Sequence, residues 1–139
     1  MIADMTPQDL RELLQSHRIN PTPQRLSIAQ ILFSGPRHLS AEQVIVELRQ
    51  SGQQASKATV YNTLGLFSKL GLVREVIADP GWVFYDSNAS AHQHVYDPQT
   101  ETLSDISPDD INVQLLKELP EDTEVESIDV IVRVRQRAS

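Results

Sequence analysis

Residues 56–67 read Ser-Lys-Ala-Thr-Val-Tyr-Asn-Thr-Leu-Gly-Leu-Phe, and this stretch decides the interpretation of the N-terminal half of the chain. Ser56 is a residue type that caps helices well. The apolar residues that follow have helical spacing: Val60, Leu64, Phe67 and Leu70. Gly71 supplies the left-handed residue that commonly ends a helix. The pattern therefore predicts one amphipathic helix, with polar residues at its N-terminal end.

Three shorter helices are predicted before it, over residues 6–16, 23–33 and 40–51. The first two each begin with a threonine followed by a proline, which suits the cap and the first turn. The third begins with Ser40 and Gln43, which have the spacing of a capping box. The N-terminal region is therefore predicted to be mainly helical.

A β-hairpin is predicted after the fourth helix. Residues 72–77 and 82–86 have the short period of strands, and Asp-Pro-Gly between them favours a turn. Helices followed by a hairpin predict a winged helix-turn-helix over residues 1–86. The small polar residues 87–91 are interpreted as a hinge.

The pattern over residues 92–139 predicts a small α/β domain. Together with the winged helix-turn-helix of residues 1–86, this places the whole chain in the α+β class. Strands are expected at 92–97, 101–106 and 124–135, with a short helix at 108–119. The last strand is rich in aliphatic residues: Val125, Ile128, Val130, Val132 and Val134. A long valine-rich strand in so short a module needs cover from a second copy. We therefore predict a homodimer held by this domain.

The composition excludes several classes of protein. The chain of 139 residues has no cysteine, which excludes disulfides and cysteine-based zinc sites. It has no apolar run long enough for a membrane span and no secretory signal, so a cytoplasmic protein is expected. Its net charge is −7, but residues 1–84 are close to neutral, and the acidic excess lies in residues 85–139. Charge therefore does not exclude nucleic acid as a partner.

The polar end of the helix at 56–67 is a candidate DNA-reading surface. Recognition helices enter the major groove with their N-terminal residues. Tyr61 offers an apolar ring to a thymine methyl and a hydroxyl to phosphate. The other candidate donors are the short polar residues of the same stretch: Ser56, Thr59, Asn62 and Thr63. The alternative is an ordinary amphipathic helix with a solvated polar side.

His92-Gln93-His94 is a candidate metal site, because alternate residues of a strand face the same side. Asp86 and Asp105 lie near it in the predicted topology, and His38 is expected in the loop before the third helix. Three histidines and two carboxylates suit Fe²⁺, Mn²⁺ or Zn²⁺, and the lack of thiolates favours the harder ions. The alternative is that His92 and His94 are simply two surface histidines. His17, on the first helix, is expected to be an ordinary surface residue.

The stretch S-K-A-T-V-Y-N-T-L-x-L-F-x-K-L-G-L-V resembles the recognition helix and following strand of the ferric uptake regulator family. Pro-Gln-Arg at 23–25 is similar to the family's second helix, whose arginine meets the DNA backbone. The resemblance covers nearly the whole chain and implies a repressor that binds double-stranded operator DNA through Arg25, Lys57 and Tyr61. Asn62 and Asn20 depart from it, because many members have arginine and lysine there.

The resemblance also implies a sensor site. Five residues match the regulatory ligands of peroxide-sensing members: His38, Asp86, His92, His94 and Asp105. Such a site joins the two domains, so an ion bound there would act as a switch for DNA binding. The family's Cys-x-x-Cys positions are Asp97 and Thr100 here, so its structural zinc site is not expected.

This chain resembles the iron response regulator branch of the family, which senses haem availability. The resemblance rests on the lack of cysteine and on the segment H-Q-H-V-Y-D-P-Q-T-E-T-L-S-D-I. Haem is therefore a further candidate effector, although the sequence has no Cys-Pro haem motif. Two other hypotheses stay open: a peroxide sensor of the same fold, and a small non-haem metalloenzyme that uses the same histidines and carboxylates.

Overall fold

The computed structural model describes residues 5–35, 37–88 and 93–138. The chain divides into two compact units, Met1–Ala89 and Ser90–Ser139. The first unit is mainly helical with a small sheet, and the second is built around another small sheet. The fold class is therefore α+β, as predicted.

Four helices form most of the first unit: α1 (Pro7–Ser16), α2 (Pro23–Leu32), α3 (Ala41–Gln50) and α4 (Lys57–Lys69). Each begins after a capping hydroxyl that accepts the N–H of the third helical residue: Thr6, Thr22, Ser40 and Ser56. Gly71 follows α4 with a φ of 81°, a conformation that glycine adopts without strain. All four predicted helices are confirmed. They could be predicted because their start and stop signals are local in the sequence.

The core of the first unit lies among these helices. Fully buried side chains come from all four of them: Leu14, Ile28, Leu32, Val44, Val60, Leu64 and Phe67. Burial of each such side chain contributes about 1.5–3 kcal/mol before the entropic cost of ordering. Three of the seven lie on α4, so the buried side of α4 fixes which of its residues face the solvent.

A three-stranded antiparallel sheet completes the first unit. It consists of β1 (His38–Ser40), β2 (Arg74–Asp79) and β3 (Trp82–Asp86), in the order β1-β3-β2. The predicted hairpin is confirmed, and its turn contains Gly81 with a φ of 79°. The expectation of a loop at His38 is wrong, because His38 begins β1. A three-residue strand is too short to show a period in the sequence.

The second unit contains a mixed sheet of β4 (Gln93–Asp97), β5 (Thr102–Ile106) and β6 (Ile131–Arg133), in the order β5-β4-β6. Strands β4 and β5 form the predicted hairpin, and β6 runs parallel to β4. The central strand β4 carries the buried Tyr96 and His94.

Two predictions for the second unit are wrong. Residues 108–119 form a turn followed by irregular chain rather than a helix, and the strand expected at 124–135 is limited to Ile131–Arg133. The apolar side chains of these segments are exposed: Val113, Leu115, Leu116, Leu119, Val125, Ile128, Val132 and Val134. Short helices and strands need an apolar surface to pack on, and the described residues leave these side chains exposed to solvent.

Within the described ranges, none of the helices has the length and apolar character that crossing a membrane requires.

Candidate functional site

The polar end of α4 is exposed in the way a recognition helix requires. Ser56 caps the helix, and its Oγ accepts the N–H of Thr59 at 3.1 Å and lies 2.8 Å from the Thr59 hydroxyl. Lys57 and Asn62 are exposed, and 43% of Tyr61 is accessible. Thr63 is only 5% accessible, because it lies on the buried side of the helix. The predicted donors thus separate into an exposed group and one buried hydroxyl.

Glu42 is a functional candidate that the sequence reasoning missed. The Tyr61 hydroxyl donates to Glu42 Oε1 at 3.1 Å, and Lys57 Nζ lies 3.0 Å from the same oxygen. The Lys57 ammonium beside Glu42 and the Tyr61 hydroxyl lower the pKa of this carboxyl below its ordinary value. Glu42 and α4 are far enough apart in sequence that no local pattern pairs them.

Arg25 borders the same polar surface from α2. Its Nη1 donates to the backbone carbonyl of Asn20 at 3.0 Å, and its own N–H is capped by Thr22. Arg25 lines an open surface depression together with the polar residues Thr22, Gln24, Thr59, Asn62 and Thr63. A guanidinium beside the N-terminal half of α4 is well placed for phosphate.

His38 and Asp86 form the first candidate ligand pair, inside the first unit. They face each other across β1 and β3, and His38 Nε2 lies 3.2 Å from Asp86 Oδ2. The carboxylate side chain is 1% exposed, and its Oδ1 accepts the N–H of Asn88 at 2.9 Å. A carboxylate buried this deeply is stable only with strong partners.

His94 and Asp105 form the second candidate pair, inside the second unit. They are cross-strand partners in the β4–β5 hairpin, and His94 Nε2 lies 3.5 Å from Asp105 Oδ1. The imidazole is 3% exposed, whereas 44% of the carboxylate side chain is accessible. His92, the fifth predicted ligand, lies outside the described residues.

The donor chemistry of the two pairs fits a divalent metal ion. Each pair offers one imidazole nitrogen and one carboxylate, and the chain has no thiolate that would favour softer ions. The same contacts also satisfy a histidine and a carboxylate without an ion. The pairs therefore meet the chemical requirement for a metal centre, with nitrogen and oxygen ligands only.

Three comparisons identify relatives of the chain. The profile of the Ferric uptake regulator family matches residues 16–134. The peroxide-responsive repressor PerR of Staphylococcus aureus (strain Mu50 / ATCC 700699) is 30% identical over 107 residues, which are 75% of this chain and 72% of that protein.

Solved structures share the fold. The ferric uptake regulator of Pseudomonas aeruginosa with manganese superposes with a TM-score of 0.67 at 23% identity, covering 92% of this chain and 98% of that chain. The ferric uptake regulator of Vibrio cholerae gives a TM-score of 0.68 at 23% identity, with coverages of 91% and 98%.

Four capped helices followed by a hairpin, with an exposed polar end on the last helix, are the arrangement expected of a DNA-binding regulator. The chain belongs to the ferric uptake regulator family, whose profile spans most of its length. It is a transcriptional regulator rather than an enzyme, so the metalloenzyme hypothesis is set aside.

Proposed function

We propose that this regulator represses transcription by binding operator DNA through α4, under the control of a divalent metal ion. The observation that carries the proposal is the pair of His–carboxylate contacts, His38–Asp86 and His94–Asp105, one in each unit. Two relatives support it in name: the Staphylococcus aureus protein is called a repressor, and the Pseudomonas aeruginosa structure is described with manganese.

The proposed DNA contacts divide into two kinds. Tyr61, on the exposed side of α4, would read base edges and a thymine methyl. Arg25 and Lys57 would meet phosphates, which position the protein without reading sequence. The remaining polar contacts would come from the N-terminal turns of α4: Ser56, Thr59 and Asn62. Thr63 is not among them, because its side chain is buried in the free protein.

The proposed ion ligands are the two described pairs together with His92, which enters from the sequence alone. Ligands with these oxygen and nitrogen donors favour Fe²⁺ or Mn²⁺, with Zn²⁺ as a further candidate. When bound, an ion would supply a positive charge to these ligands. Each histidine already contacts a carboxylate, so an ion would replace these contacts with bonds to the same nitrogen and oxygen atoms, and the carboxylates would offset its charge.

We further propose that the regulator works in the cytoplasm as a homodimer, with residues 92–139 as the dimerisation and sensor domain and 87–91 as the hinge. The support is the series of exposed aliphatic side chains in the second unit, of which Leu116 at 90% accessibility is the extreme case. Exposed apolar surface of this kind is typical of subunit interfaces.

The proposal is tested by measuring DNA binding in each metal state. A duplex is first selected from a randomised pool with the Mn²⁺-loaded protein, and its affinity is measured with no metal, Mn²⁺, Fe²⁺ without oxygen, Zn²⁺ or haem. We expect Mn²⁺ or Fe²⁺ to change the affinity by about 5–150-fold, the usual range of allosteric coupling. Asp86→Asn and His94→Ala should abolish this change.

His17→Ala is the matched control, because it removes an imidazole at the C-cap of α1 that belongs to neither pair. A metal response that survives Asp86→Asn and His94→Ala but disappears in His17→Ala would refute the ligand set. A response to haem alone would replace the bare ion as effector. His38→Ala should retain weak ion binding but lose its coupling to DNA, and unchanged coupling would contradict a switch that depends on His38.

A peroxide-sensing repressor is the second candidate, favoured by the 30% identity to the peroxide-responsive repressor. Peroxide treatment of the Fe²⁺ form should then add 16 Da to His38 and His92, as detected by peptide mass spectrometry. The Mn²⁺ form serves as the control, because Mn²⁺ does not generate the same oxidant. Unmodified histidines with retained DNA binding after peroxide would exclude this candidate.

A further inference from the structure

Glu42 stands at the centre of a small network on the proposed DNA-binding surface. It lies in the first turn of α3, where Oε1 accepts the Tyr61 hydroxyl at 3.1 Å and lies 3.0 Å from Lys57 Nζ. The Lys57 ammonium is also 5.9 Å from the centre of the Tyr61 ring. These three side chains are called the Glu42 triad below. A single carboxylate oxygen thus connects two proposed DNA contacts.

The Glu42 triad contributes little to folding. The side chains of Lys57 and Glu42 are 68% and 53% exposed, so solvent screens their attraction. An acidic residue in a first helical turn is favourable in itself. That effect explains a carboxylate near the start of α3, but it does not explain why Tyr61 and Lys57 both converge on it. The convergence is better explained by the surface that these residues form.

Glu42 has two opposite effects on DNA binding. It holds the Tyr61 hydroxyl and the Lys57 ammonium in one arrangement, which reduces the entropy lost when they engage DNA. Burial and the hydrogen bond to Glu42 raise the pKa of Tyr61 above its ordinary value, and a phenol is a hydrogen-bond donor at neutral pH even without this shift. In contrast, the carboxylate cancels the charge of Lys57 and is repelled by phosphates.

We infer that Glu42 is a specificity-determining positioning residue: it orients Tyr61 and Lys57 for the operator and opposes binding to other DNA. The inference rests on the proposed function, because it requires α4 to contact DNA. Discrimination depends on the difference between two affinities, so a group that weakens binding to wrong sequences increases it. On the operator, the base contact of Tyr61 offsets the repulsion, whereas on random DNA it does not.

The test compares E42Q, E42A and the control E12Q. Glu12 is an exposed glutamate of α1, so E12Q removes the same charge away from the triad. Each Mn²⁺-loaded variant is titrated with the selected duplex and with a scrambled duplex of equal composition, at several salt concentrations. E42Q should bind the scrambled duplex about three- to tenfold more tightly, with a salt slope steeper by up to about one per chain.

The selected duplex distinguishes charge from orientation. Glutamine keeps an acceptor for the Tyr61 hydroxyl, so E42Q should change affinity for the selected duplex less than affinity for the scrambled one. Alanine removes the acceptor, so E42A should in addition weaken binding to the selected duplex. E12Q should keep the parent's ratio of the two affinities. Melting temperatures close to the parent's show that the variants are folded.

A measurement without DNA tests the positioning directly. NMR titration of the Tyr61 ring should show its pKa falling towards the ordinary value in E42A and staying at the parent's value in E12Q, because the hydroxyl donates to Glu42 and not to Glu12. An unchanged Tyr61 titration in E42A would overturn the inference.

The outcomes separate the two proposals. A parent protein that selects no sequence from the pool overturns the proposed function, and the inference fails with it. A parent that selects a sequence, with E42Q keeping the same ratio and salt slope, overturns the inference alone.

Discussion

Replacing Arg25 with glutamine should remove one phosphate contact while leaving the fold intact. In the free protein, Arg25 Nη1 donates to the Asn20 carbonyl at 3.0 Å, a neutral partner that leaves the guanidinium charge uncancelled in this contact. Glutamine keeps an N–H donor at this position but carries no charge. The helix cap is unaffected, because it uses the backbone N–H of residue 25 and the hydroxyl of Thr22.

The size of the effect follows from counterion release. Each phosphate contact contributes about 0.9 to the slope of log affinity against log salt. Between 50 and 200 mM salt, the parent should therefore lose affinity about 3.5-fold more per chain than Arg25→Gln. The deficit of the variant is thus largest at low salt and shrinks by this factor as salt increases.

The assay is fluorescence anisotropy with the selected and scrambled duplexes at 50, 100 and 200 mM salt. Arg11→Gln, an exposed arginine of α1, is the control and should keep the parent's slope. A phosphate contact acts on both duplexes alike. A deficit confined to the selected duplex, or one that does not change with salt, would refute the assignment of Arg25 to the DNA backbone.

Four further outcomes are expected. Tyr61→Ala should weaken binding to the selected duplex by about 1–3 kcal/mol and to the scrambled duplex much less, whereas equal losses would contradict base reading. Ser40→Ala removes the bond from the Gln43 N–H and should lower the free energy of unfolding in urea by about 0.5–2 kcal/mol. Sedimentation at micromolar concentration should give twice the chain mass, and Val132→Asp should shift it towards one chain; a single-chain mass for the parent refutes the dimer. Burial, above all, raises the pKa of Tyr85, so its contribution to stability is complete below pH 10.0 and is lost as pH rises through the folded value. Tyr85→Phe should therefore make the alkaline loss of stability shallower, and a superimposable pH profile would contradict this.

The first unit was largely predictable because its signals are local. Each helix begins at a capping hydroxyl that lies next to it in the sequence: Thr6, Thr22, Ser40 and Ser56. Such signals can be read from a few neighbouring residues. The start of β2 was misplaced by two residues, because Leu72 and Val73 are apolar for the helical core rather than for the strand. An apolar residue does not by itself tell which element it serves.

The second unit was less predictable because many apolar side chains of its described residues are exposed rather than packed. The pattern at 108–119 resembles an amphipathic helix, but Leu116 is 90% exposed and has nothing to pack against. The two His–Asp pairs of the candidate metal site were predictable in part. The sequence indicates the residue types and the hairpin at His94, but His38 lies on a strand of three residues that only its pairing with β3 reveals.

Partnership of Glu42 with Tyr61 and Lys57 was not predictable, because the contact joins two helices through side chains alone. Glu42 also follows a local rule, because acidic residues are favourable in the first turn of a helix. The sequence therefore gives no reason to look for a further role in contacting Tyr61 and Lys57. Exposed polar contacts between elements are the class of feature that sequence patterns leave undetermined.

The strand order β5-β4-β6 has a kinetic consequence. Strand β4 reaches β5 through a short turn, whereas residues 98–130 separate it from β6. Closing the longer loop costs about 2 kcal/mol more in chain entropy. Strand β6 offsets this cost with the pairing of only three residues. The hairpin should therefore form first, and β6 should be the first strand to detach in native-state fluctuations. Because the His94 N–H bonds to the Val130 carbonyl beside β6, each detachment also releases one side of a proposed ion ligand. Slowed or accelerated hydrogen exchange at the Val134 N–H, which donates to the Tyr96 carbonyl, would report this opening.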